Sequence, residues 1–163
     1  MKKLIKKTIL IFSLMTITTS SSMAKEEDNS YGNETEAKNM LERVIRIVDS
    51  NPTVAFGMIN VGQGGFHVKD LYPFCIDNKG IMVAHPTLAG TDMTNFTSSD
   101  GVKVAQIMLQ KAKSNKFSKI SYNLNRTISS PDGLPIVTKK ESKKITFYSK
   151  VGNYTCATGF HPS

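Results

Sequence analysis

Three short turns most restrict what this chain can fold into. Asp77-Asn78-Lys79-Gly80, Ser130-Pro131-Asp132-Gly133 and Val151-Gly152-Asn153 each punctuate strand-like sequence. Gly, Pro, Asn and Asp set turn geometry at such places, and connections this tight allow only antiparallel neighbours. The strand readings beside them are 71–76, 81–84, 117–128, 145–150 and 154–160.

The helical readings come from a different period. Ala37, Met40, Leu41, Val44, Ile45 and Val48 fall at the spacing of one buried helical stripe, with Glu34, Lys38, Glu42 and Arg43 off it. Pro52 interrupts that pattern, because proline has no N–H to donate and disfavours helix before it; residues 53–59 resume the helix. Another helix is expected to be capped by Ser98, Ser99 or Asp100, to carry Val104, Ile107, Met108 and Leu109 inward, and to end near Lys113. A helix, two strands, a helix and three strands make an α+β order, with the first helix laid over one sheet face. Gly62-Gln63-Gly64-Gly65 reads as a loop and fits neither a phosphate-binding loop nor a dinucleotide fingerprint.

The N-terminus sets the compartment. Lys2, Lys3, Lys6 and Lys7 precede the apolar run TILIFSLMT, and Ser22-Met23-Ala24 offers small residues for cleavage. That order marks a secretory signal peptide, and the run is far short of the ~20 residues a spanning helix needs. The domain division is therefore 1–24 signal peptide, 25–33 flexible lead-in and 34–163 a single domain, located in the periplasm or secreted. Cleavage removes four lysines and no acid from a formal charge of +8, and no aromatic-interleaved basic stripe remains, so no nucleic-acid partner is expected. The mature part carries no membrane-length apolar run, so no span is expected there. Two cysteines in an exported chain favour a disulfide over two buried thiols. No motif calls for a metal or a cofactor.

Residues 70–86, DLYPFCIDNKGIMVAHP, resemble the centre of a single Cache domain, the extracellular PAS-like sensor module of calcium channels and chemotaxis receptors. The Asp100-Gly101 step, the Ser130–Gly133 hairpin and Thr158-Gly159-Phe160 continue the resemblance, which spans roughly residues 34 to 161. It implies a PAS-like five-stranded antiparallel sheet, with a long N-terminal helix on one face and a helix and loop over the other. It makes the first and last strands neighbours, so that Cys75 and Cys156 can pair. Here the chain departs from the family in having no Trp, with Phe117 and Tyr154 near the usual aromatic places.

The resemblance further implies a small-molecule pocket between the sheet and the segment after Ala84-His85-Pro86, taking a short carboxylate or an amino acid. His85 reads either as a ligand contact or as the residue that holds the strand end. Tyr72 and Tyr122 read as pocket hydroxyls or core, Arg126 and Lys144 as sources of charge, and Thr91 and Asp92, with Asn95, as lid-loop contacts or ordinary turn residues. The expected function is an exported, non-enzymatic sensor-type binding domain. Its partner beyond the ligand would be a second copy through the first helix or a membrane receptor. The alternatives are an adaptor with a degenerate pocket, and a hydrolase built on Cys75 with His85 or His161. If the leader reading holds, N-terminal sequencing of protein recovered outside the cytoplasm will find a chain starting near Lys25.

Overall fold

The computed structural model describes residues 31–162. The expected signal peptide and residues 25–30 of the lead-in lie outside the described residues. At the end of the lead-in, the backbone N–H of Gly32 donates to Asp70 (2.6 Å), and Asn33 caps the first helix in a reciprocal box with Glu36. That helix, α1 (Glu34–Ser50), stops where Pro52 removes a backbone donor. Asn51 closes it and caps the next, α2 (Pro52–Asn60), by accepting from Val54 N–H.

The sheet contains β1 (Pro73–Asp77), β2 (Met82–Ala84), β3 (Ser118–Ser129), β4 (Pro135–Val151) and β5 (Tyr154–Phe160), in the order β2-β1-β5-β4-β3 with every pair antiparallel. This is the expected α+β, PAS-like sheet. α3 (Val104–Lys111) and the loop before it cover the face opposite α1.

Strand alternation divides the core in two. Cys75, Phe147, Val151, Cys156 and Phe160 face the apolar stripe of α1, from Ala37 to Val48. Phe74, Ile76, Ile120, Tyr122, Tyr148 and Ala157 face α3 and its loop. Cys75 and Cys156 sit directly opposite in the β1–β5 register and form a disulfide, buried beneath the helical layer.

Two elements differ from expectation. β4 is far longer than 145–150, because the polar stretch 138–144 continues as a ladder with β3; its lysines hid the strand signal, yet backbone pairing does not depend on side-chain polarity. The expected caps of α3 do not cap it. The helix starts after Lys103 with no side-chain bond, whereas Ser98 Oγ donates to Asp100 (2.6 Å) and Asp100 accepts from the Asn123 N–H (3.0 Å). Those groups fasten the loop to β3 instead.

The disulfide joins residues 81 apart in sequence. Cross-linking so long a loop restricts the unfolded chain by about 2–4 kcal/mol. The Cys75→Ala/Cys156→Ala protein is expected to melt on the order of 10 °C lower than the oxidised parent, as calorimetry without reductant will check.

Candidate ligand pocket

The sheet face under α3 is not filled. A cavity of about 210 Å³ opens there, lined largely by apolar side chains, among them Phe74, Met82, Met93, Phe96 and Leu124. Its size suits a molecule of a few heavy atoms, well below the ~300–1,000 Å³ of drug-sized sites. β5 presents small residues on this face: Ala157 lies opposite Phe74, and Gly159 opposite Thr146. A Cβ at Gly159 would stand 2.7 Å from the Lys144 side chain, so only glycine lets that lysine cross the sheet face.

Lys144 is the unusual member of the site. It pairs with Tyr122 across β3 and β4, is 1% exposed, and donates from Nζ to the Tyr72 hydroxyl (2.8 Å) above that ring. Burial works against its charge, but the Tyr72 and Tyr122 oxygens and the Asp70 carboxylate favour it, and the balance raises its pKa. Among the described residues it makes no ion pair. An ammonium has three donors, and Tyr72 takes one.

His85 combines the two roles read from the sequence. Asn60 Oδ1 on α2 accepts from the His85 backbone N–H (2.9 Å), fixing the end of β2. The ring Nδ1 accepts from the Thr87 and Leu88 N–H groups (3.0 and 3.1 Å), which gathers the start of the lid loop. A nitrogen accepting two backbone donors carries no proton, so the neutral ring holds its hydrogen on Nε2. Burial first, then the Lys144 and His67 charges, lower the His85 pKa to about 3. Across the cavity Thr146 Oγ1 donates to the Tyr122 oxygen (3.2 Å), leaving that phenol free to donate, and burial raises the Tyr122 pKa. The polar groups gathered here are therefore donors.

Five of the seven residues expected at the pocket line this cavity: Tyr72, His85, Thr91, Tyr122 and Lys144. Thr91 also accepts at its carbonyl from Met82 N–H (2.9 Å), which lays the lid loop along β2. Asp92 and Arg126 are placed elsewhere. Asp92 is exposed and accepts from the N–H and hydroxyl of Thr94 (2.8 and 2.7 Å), an ordinary turn; Asn95 is exposed as well. Arg126 sits at a β-bulge between Asn125 and Thr127, and bulges re-aim side chains. Its Nε lies 3.4 Å from Asp70 and its guanidinium covers the Tyr31 ring. The hydrolase reading fails on chemistry: Cys75 is in the disulfide and has no thiolate. Sequence reasoning missed the lining residues Phe74, Met82, Leu88, Met93, Phe96, Val104 and Leu124. Period-two alternation could have found those on strands, but nothing local marks the loop members.

An antiparallel sheet of this order, with a helix on one face and a small cavity on the other, is the PAS-like fold expected from the sequence. The family model for single Cache domain 2 matches residues 11–155, and the chain belongs to that family. Its structure is similar to that of a methyl-accepting chemotaxis protein from Vibrio parahaemolyticus RIMD 2210633, with 18% identity, 78% of this chain and 86% of that one covered, and a TM-score of 0.53. It is also similar to a periplasmic sensor domain of a chemotaxis protein, with 16% identity, coverage of 77% and 88%, and a TM-score of 0.51. These likenesses are in fold. No curated protein matches the chain. Among the described residues no helix is long and apolar enough to cross a membrane.

The histidines give the fold an acid-sensitive window. His161 is also lowered to about 3, by burial first and then by Lys144 and Arg126. The unfolded chain takes up protons near pH 6.5, while His85 and His161 stay neutral in the fold down to about pH 3. Stability is thus complete above about pH 6.5 and declines as pH falls, by up to ~1.4 kcal/mol per pH unit for each histidine. Urea titrations between pH 7 and 5, above the carboxylate range, are expected to show this slope, and His85→Gln should make it shallower, with His161 and the likewise lowered His67 supplying the rest.

Proposed function

We propose that this domain is an exported sensor module whose cavity binds a short carboxylate with an apolar tail, its carboxylate held by Lys144. The buried, unpaired Lys144 ammonium carries this reading. The Tyr72 and Tyr122 oxygens and the more distant Asp70 carboxylate keep it charged, but no carboxylate touches it, so an entering carboxylate meets a cation that has already been desolvated. The His85 Nε2–H and the Tyr122 hydroxyl supply further donors, and the apolar lining suits a short aliphatic tail. An amino acid fits less well, since its ammonium group would find no acidic side chain among the lining residues.

Export is supported by the Lys2–Ala24 leader, with residues 25–33 as a lead-in to the domain. The disulfide supports an oxidising compartment, either the periplasm or the exterior. Membership of a sensor family supports binding rather than catalysis as the activity. The reader of occupancy would be a second copy joined through α1 or a membrane receptor. The adaptor reading has less support, because the cavity is open rather than packed with side chains.

A thermal-shift series with acetate, propionate, lactate, pyruvate, glycine and alanine tests this. A ligand at a hundred times its Kd stabilises the fold by about 2.7 kcal/mol. The carboxylates are expected to raise Tm in proportion to occupancy, and the amino acids much less. Lys144→Met is expected to abolish the response while leaving the ligand-free Tm unchanged or higher, since an apolar isostere of a buried charge is often stabilising. An unchanged response in that variant rules out the assignment of Lys144.

A further inference from the structure

We infer that the turn end of the β3–β4 hairpin docks on the surface of an anionic lipid bilayer. The inference does not rest on the cavity.

β5 pairs with β4 only over 145–151, so beyond Ile145 the sheet narrows to the two strands β3 and β4. At the turn end of this ribbon the Ser129 N–H donates to the Lys69 carbonyl (2.7 Å), which fixes the tip against the segment before β1. Its tip exposes Leu134 (63%), Ile136 (49%) and Val137 (54%), with exposed Val68 next to the fastening point. Ile136 and Val137 are consecutive on a strand and point to opposite faces. A flat protein partner covers one face of such a ribbon; the interfacial layer of a bilayer surrounds both.

Charge narrows the occupant. Lys139, Lys140 and Lys143 are exposed just behind the apolar tip and outnumber the acids of the same stretch, Asp132 and Glu141. A second copy would bring like charges together, whereas an anionic surface attracts each lysine. Asp132, at the turn, keeps the tip at headgroup depth, since a carboxylate enters hydrocarbon only at high cost.

The absence of tryptophan from the chain makes the test direct. Leu134→Trp in the exported, purified protein provides a single emitter, and Val54→Trp on α2 serves as the distant control. Vesicles of phosphatidylglycerol are expected to shift the Leu134→Trp emission to the blue and leave Val54→Trp unmoved. The shift should fall away with added salt or with phosphatidylcholine vesicles. The Leu134→Ser/Ile136→Ser/Val137→Ser protein, checked for folding by circular dichroism, should lose at least tenfold in vesicle co-sedimentation. No shift with phosphatidylglycerol overturns the proposal. So does a shift that appears without vesicles as protein concentration rises, which would make a second copy the occupant.

Discussion

The structure hangs on the two ladders of β5. This seven-residue strand pairs with β1 on one side and β4 on the other, so it joins the early hairpin to the late one. Its alternation then serves opposite needs on its two faces. Cys156 and Phe160 go to the helical layer, where they help close a dense core. Ala157 and Gly159 go to the other face, where the missing Gly159 side chain leaves space for Lys144. One strand thus seals one side of the sheet and opens the other.

The cost of that opening falls on Lys144. An interior ammonium with one hydroxyl partner is poorer for stability than an apolar residue of similar size. The fold compensates with the Tyr72 ring and oxygen and the field of Asp70. Such a group makes sense where stability is set below its maximum for the sake of recognition. The Asp70 carboxylate has a second task, since it also holds the Gly32 N–H and faces Arg126. The buried charges therefore link the cavity region to the segment that leads into α1.

Much of this architecture was legible from turns and periods. The α1 stripe, the break at Pro52 and the limits of β5 follow from local rules that tertiary contacts did not overrule. The disulfide came from the expected adjacency of the first and last strands, and the register puts the two cysteines opposite one another. The long β4 was hidden because a strand bordered by solvent tolerates lysine at most positions, so its polarity imitated a loop. Among the pocket residues, Tyr122 and Lys144 share a face through plain alternation. Arg126 has the same parity, and one bulge removed it from that group. The burial of Lys144 depends on a glycine fifteen positions away, and no local pattern connects the two.

The Cys75–Cys156 bond gives the molecule a covalent topology that its layers do not suggest. It closes a ring containing β2, the lid loop, α3, β3 and β4. Every residue lining the cavity belongs to that ring except Tyr72 and Phe74, which stand just outside its first link. α1 and α2 lie wholly outside it. The chain is thus a closed loop carrying the recognition surface, with a helical tail laid against its back. Tension applied through the N-terminus falls on the tail and not on the loop, whose covalent length around the cavity is fixed by the bond.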